Sequence, residues 1–164
     1  MRSLDPEEER QALVQKSSKA KEAMELFRQG YNCAQAVMAV FCKDLGLEEK
    51  QAMMLASSFG GGMGRMREVC GAVSGMAMVL GLAQGYSDPK ATSEKAAHYD
   101  KVQQLAEQFK AENGSIICRE LLGLTKPGPD SPVPEERTPT YYKKRPCDIL
   151  VGQCAAILQQ ELGK

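Results

Sequence analysis

The chain has 164 residues, 43% of them hydrophobic and 26% charged, a balance that suits one globular domain with a real core. Lys+Arg and Asp+Glu both number 21, and aromatics make up 5% with no tryptophan, which argues against a nucleic-acid binder, an anionic-membrane binder or a base-stacking platform. No stretch reaches the roughly 18 uninterrupted apolar residues of a membrane span, and the acidic start "MRSLDPEEERQ" is unlike a signal peptide, so the expected compartment is the cytoplasm.

In chain order, "DPEEERQALVQKSSKAKEAMELFRQG" predicts one helix. Asp5 caps it, Pro6 suits the first turn, Glu7 to Glu9 suit the positive dipole end, and Leu13, Ala20, Met24 and Phe27 recur at helical spacing before Gly30. Asn32 and Gln35 form a capping-box pair for "NCAQAVMAVFCKDLG", which Gly46 closes. "EEKQAMMLASSFGG" places Ala52, Leu55, Ala56 and Phe59 on one face. The stretch "GGGMGRMREVCGAVSG" (60–75) then crowds in six glycines beside a cysteine. Each glycine costs roughly 1 kcal/mol against alanine inside a helix, so bare backbone has a use there.

"CGAVSGMAMVLGLAQG" is apolar nearly all round and reads as the buried central helix. "DPKATSEKAAHYDKVQQLAEQFKAENG" is a long polar-faced helix ending at Gly114, and Ser115 caps a short one, "IICRELLG". Six of the eight prolines fall between Pro127 and Pro146, so residues 123–145 read as an extended surface loop. "RPCDILVGQCAAILQQELG" closes the chain as a helix with Pro146 in its first turn. Nothing alternates as a strand. The expected fold is all-α, a single domain over 1–164 with six or seven helices and a central glycine-rich-loop-to-helix element.

Six cysteines are many for a reducing compartment, and without a CxxC there is neither a thioredoxin motif nor a usual zinc knuckle. Four of them, Cys33, Cys70, Cys118 and Cys147, fall at helix starts, where unpaired N–H groups favour thiolate. Arg65 and Arg67 precede Cys70, Arg119 follows Cys118 and "KKR" precedes Cys147; Glu68 and Asp148 oppose part of the effect, and the expected direction is a lowered pKa. Any one such placement is explained by a small apolar residue at a tight helix start. Four together favour a site, and spacings of 37, 48 and 29 residues mean that the fold must assemble it. Cys42 points away from Cys33 at about 100° per residue, and Cys154 lies about 10 Å along the axis from Cys147, so both read as buried filler.

"GYNCAQAV", "FGGGMGRMREVCGAVSGMAMVLG", "GSIICRELLG" and "CDILVGQCAAIL" together resemble the C_GCAxxG_C_C family of redox-active proteins, although this chain reads Cys70-Gly71-Ala72 where the family name has Gly-Cys-Ala. The resemblance implies an all-helical protein whose motif cysteines are Cys33, Cys70, Cys118 and Cys147. Split-Soret-type cytochromes show a related fold with an iron–sulfur centre beside haems. This chain has no CxxCH and His98 is its single histidine, read as a surface residue, so haem attachment does not carry over. Gly60, Gly61, Gly62 and Gly64 allow positive φ and bring N–H groups toward a ligand, and Gly71 with Gly75 allows close helix approach; a bend that merely turns the chain explains them equally well. Neither a P-loop nor a dinucleotide fingerprint is present.

Two redox readings follow. The four cysteines cycle as thiols and disulfides, with Cys70 expected to be the most accessible and reactive, or they ligate a metal: a [2Fe–2S] cluster for electron transfer, or structural zinc. Both leave the chain an oxidoreductase or an electron carrier with an unidentified redox partner, and a homodimer is compatible with either. The alternative is a non-catalytic binding module with a structural four-cysteine metal site, or an apolar pocket lined by Met53, Met54, Met63, Met66, Met76 and Met78, residues that core filling explains more simply.

Overall fold

The structure, a computed structural model, describes residues 5–164; the first four residues of the acidic start lie outside the described part. The fold is all-α. Its long helices are α1 (Pro6–Lys16), α2 (Ser18–Arg28), α3 (Cys33–Cys42), α4 (Glu49–Ser57), α6 (Gly71–Gln84), α7 (Thr92–Asn113) and α10 (Cys147–Leu162), with short turns α5 (Gly60–Met63), α8 (Cys118–Leu121) and α9 (Pro139–Lys144) between them. Among the described residues, β pairing is confined to one isolated antiparallel bridge, Val69 to Ile117. No helix among them is long and apolar enough to cross a membrane.

The first predicted helix is two. Ser17 takes an extended conformation (φ −144°, ψ 120°), accepts from the Ala20 N–H and donates to Gln159 on α10 at 2.6 Å. A buried serine that caps the next helix satisfies its hydroxyl better there than in mid-helix, so the chain breaks. The Asn32–Gln35 capping box forms as expected, with 2.9 and 3.1 Å bonds. On α4, Ala52 and Ala56 are buried but Leu55 stands in solvent beside Met54, so that stripe is narrower than its spacing predicts.

The central helix is α10 rather than α6. Every residue from Cys147 to Leu158 is buried, because α1, α2, α3, α6 and α7 all pack against α10. α6 buries Ala72, Val73, Met76, Val79 and Leu80 but leaves Leu82 exposed. Phe27, Phe41 and Phe109 are fully buried around this assembly, each such burial contributing about 1.5–3 kcal/mol. The one buried carboxylate on α10, Asp148, is held by Arg10 (2.8 Å) and Arg28 (2.9 Å), which repay its desolvation.

Glycines set the closest approach. A Cβ on Gly71 would lie 2.7 Å from the Phe59 carbonyl and 3.1 Å from the Cys33 Cβ, and one on Gly75 would lie 2.9 Å from the Ala34 carbonyl. The small face of α6 therefore seats the start of α3 against the start of α6, which puts Cys33 near Cys70.

Candidate functional site

Cys33, Cys118 and Cys147 are the first residues of α3, α8 and α10, and Cys70 is the residue before α6. All four line one cavity of about 470 Å³, together with Gly60, Gly61, Gly62, Gly64 and Gly71. Cys42 and Cys154 do not line it; both are buried in the core, the Cys42 thiol against the Ala39 carbonyl at 3.4 Å. All six cysteines are free thiols.

The glycine stretch is a left-handed turn. Gly61, Gly62, Met63, Gly64 and Arg65 all have φ between 58° and 68°, and Arg67 follows at 62°. Side chains pay roughly 1–2 kcal/mol for this region and glycine does not, so three glycines carry most of the turn. The space is also closed: a Cβ on Gly62 would sit 2.7 Å from the Cys118 Cβ and 2.7 Å from the Glu68 amide. The turn delivers the chain into the bridge, where the Cys70 N–H donates to the Ile116 carbonyl (2.8 Å) and the Cys118 N–H to the Glu68 carbonyl (2.6 Å). Those bonds place Cys70 and Cys118 on the same side of the bridge.

The expected lowering of the thiol pKa is overturned at Cys70, Cys118 and Cys147. Burial pushes Cys70 up to about 12. Burial also raises Cys118, against a hydrogen bond and charge from Arg67 that pull the other way. Hydrogen bonding to the Cys33 thiol, with burial behind it, pushes Cys147 well above the ordinary range, and Arg145 only partly opposes this. At Cys70 and Cys118, 4% and 8% exposed, desolvation outweighs the helix-start dipole. Cys70 is therefore not the accessible thiol; Cys33 is the half-buried one.

The basic neighbours are also redistributed. Arg67, three residues before Cys70 in sequence, serves Cys118 instead: its Nη1 lies 3.6 Å from the Cys118 Sγ while its Nε donates to Asp130 at 2.7 Å. Burial works against its charge, yet these two partners raise its pKa. Arg65 donates to the Ser131 carbonyl at 2.6 Å, and Arg119 turns away to the carbonyls of Lys126 and Gly128. Of the "KKR" run, Lys143 and Lys144 are exposed and Arg145 alone lines the cavity, paired with Glu135.

The proline-rich segment contains more than a surface loop. Pro132, Pro134, Glu135, Arg137 and Tyr141 form a cavity wall. Arg137 pins it down by donating to the carbonyls of Phe27 (3.0 Å) and Tyr31 (3.2 Å) and stacking 4.3 Å from the Phe27 ring centre. Burial, with the neighbouring Cys147 second, raises the Tyr141 phenol to about 12. Nothing local in the sequence marks these residues beyond a proline-rich stretch that ends in aromatic and basic residues directly before Cys147.

The methionines lie away from this cavity. Met76 is core, while Met54, Met63 and Met66 are exposed. His98 is half-buried rather than a plain surface residue, its ring edge-on to Tyr86 at 6.1 Å between centroids. Among the described residues, no three His, Cys, Asp or Glu side chains are gathered closely enough to hold a metal ion. As placed, the four thiols line the cavity without forming the cage that zinc or a four-thiolate cluster needs.

The sequence profile of the family described as "Putative redox-active protein (C_GCAxxG_C_C)" matches residues 31–161. The chain belongs to this family. The C_GCAxxG_C_C match begins two residues before Cys33 and spans Cys33, Cys70, Cys118, Cys147 and the glycine turn. No curated protein and no solved structure matches the chain significantly.

Proposed function

We propose that the chain is a thiol–disulfide redox protein in which Cys33 and Cys147 are the first exchanging pair and Cys70 with Cys118 the second. The observation that carries this reading is the one cavity that Cys33, Cys70, Cys118 and Cys147 all line, in which the Cys33 thiol is near enough to Cys147 to raise its pKa. Cys33 is the most open of the four and meets an incoming disulfide; Cys147, buried at its side, closes the protein disulfide. Joining the two sulfurs passes two electrons and two protons to the incoming disulfide, which leaves as two thiols. Arg145 favours the thiolate of Cys147 as it attacks.

Mild oxidation with diamide, digestion and mass mapping test the pairing. A Cys33–Cys147 peptide link is expected, absent from Cys33→Ser, with Cys42 and Cys154 still reduced. Cys33 and Cys147 remaining unlinked in a folded, oxidised chain would overturn it. The convergence of four motif thiols on one cavity also favours a second reading, [2Fe–2S] ligation by Cys33, Cys70, Cys118 and Cys147 after the cavity contracts. Broad visible absorption in protein purified without oxygen, bleached by dithionite and lost in Cys70→Ala, would replace the dithiol reading with that one.

A further inference from the structure

A dithiol pair by itself needs no chamber, yet about 470 Å³ is the size of a small-molecule pocket. Its walls are also strongly basic. Arg65, Arg67, Arg137 and Arg145 line it, against one acidic lining residue, Glu135. Arg145 is paired with Glu135 and Arg67 with Asp130 just outside. Among the described residues no carboxylate pairs with Arg65 or Arg137, whose hydrogen bonds go to neutral carbonyls. Two half-buried guanidinium groups thus line the cavity without a hydrogen-bonded carboxylate. Asp130 feels the charge of Arg65 only at longer range, and Arg137 stacks on the Phe27 and Tyr141 rings. The four arginines leave a positive excess that favours an anion inside the cavity.

Resting on the dithiol reading, we infer that the cavity takes a small organic anion as its redox substrate: a carboxylate-bearing low-molecular-mass disulfide and the thiol derived from it. The Cys33 thiolate attacks one sulfur of the disulfide, breaking the S–S bond and expelling the first substrate thiol. The Cys147 thiolate then attacks the Cys33 sulfur, breaking the mixed disulfide and releasing the second. One protein dithiol and one substrate disulfide become one protein disulfide and two substrate thiols. Excess substrate thiol runs the same two exchanges backwards, so no other reductant is required. Arg137 and Arg65 hold the carboxylates while the sulfur lies at Cys33.

The fully reduced chain is mixed, without oxygen, with oxidised glutathione (anionic), bis(2-hydroxyethyl) disulfide (neutral) or cystamine (cationic). The Cys33–Cys147 disulfide is followed by acid quench, alkylation and mass spectrometry. Each rate is divided by that of the same reagent with a free cysteine peptide. The anionic reagent is expected to lead the cationic one at least about tenfold, with the neutral one between, and salt at about 1 M should erase the spread. Arg137→Gln should also collapse it. Because Arg137 anchors the segment over α2, Arg65→Gln, which gives up only one carbonyl bond, serves as the second variant and should narrow it. Equal normalised rates, or a spread that survives both variants, overturn the anion proposal while leaving the dithiol reading intact. Failure of all three reagents to link Cys33 to Cys147 overturns the dithiol reading and this proposal with it.

Discussion

The part of the cavity wall that carries Cys33 and Cys147 and the part that carries Cys70 and Cys118 are made differently. The first part consists of helix starts. A capping box fixes the first turn of α3, Pro146 precedes α10, and both helices bury long apolar faces behind their cysteines. The second part consists of backbone held to backbone: a left-handed turn feeding a single bridge whose amides bond across a gap of about fifty residues in sequence. A helix start survives most changes to its neighbours because its hydrogen bonds are local. The bridge has no such reserve, and its geometry depends on glycine where a side chain would collide.

The largest expected difference between the two parts is therefore at Gly62. Gly62→Ala adds strain at positive φ and a collision with Cys118 and the Glu68 amide, for a loss of roughly 4 kcal/mol by denaturant titration. A loss under about 1 kcal/mol would mean that the second part is not held by close packing. Next comes pH. Cys70 is protonated in the native chain up to about 12, against an ordinary 9.0, so the unfolded chain loses this proton first as pH rises. Its contribution is fully present below 9 and should fall by about 1.4 kcal/mol between about pH 8 and about pH 10. The slope of stability against pH should flatten by that amount in Cys70→Ala, and an unchanged slope would show that Cys70 is not desolvated.

In the first part, Asn32→Ala removes the cap of α3 and the amide bond to the Ser57 carbonyl, and should cost about 1 kcal/mol. A cost equal to that of Gly62→Ala would erase the contrast between the two parts. The smallest effect has the opposite sign. Met63 is exposed at φ 67°, so Met63→Gly should raise stability by up to about 1 kcal/mol in thermal or chemical unfolding, and a loss there would contradict a left-handed turn at Met63.

Periodicity, caps and terminal glycines are local signals, and they made the all-α class, the start of α3 and the end of α7 at Gly114 readable from the sequence. The placement of four cysteines at helix starts was readable for the same reason, as was the separation of Cys42 and Cys154 from them. Proximity in sequence misled where partners are distant. Arg67 is three residues from Cys70 and bonds to Cys118, and the first helix breaks at Ser17 because its hydroxyl finds Gln159. The thiol pKa values of Cys70 and Cys118 turned on burial, which a helix-start argument does not contain. Tertiary structure alone decided that α10 is central, that the proline-rich segment walls the cavity, and that Cys33 is its open thiol. Each of those follows from which surfaces meet, and desolvation and contact depend on the whole packed chain where helix propensity depends on a few neighbours.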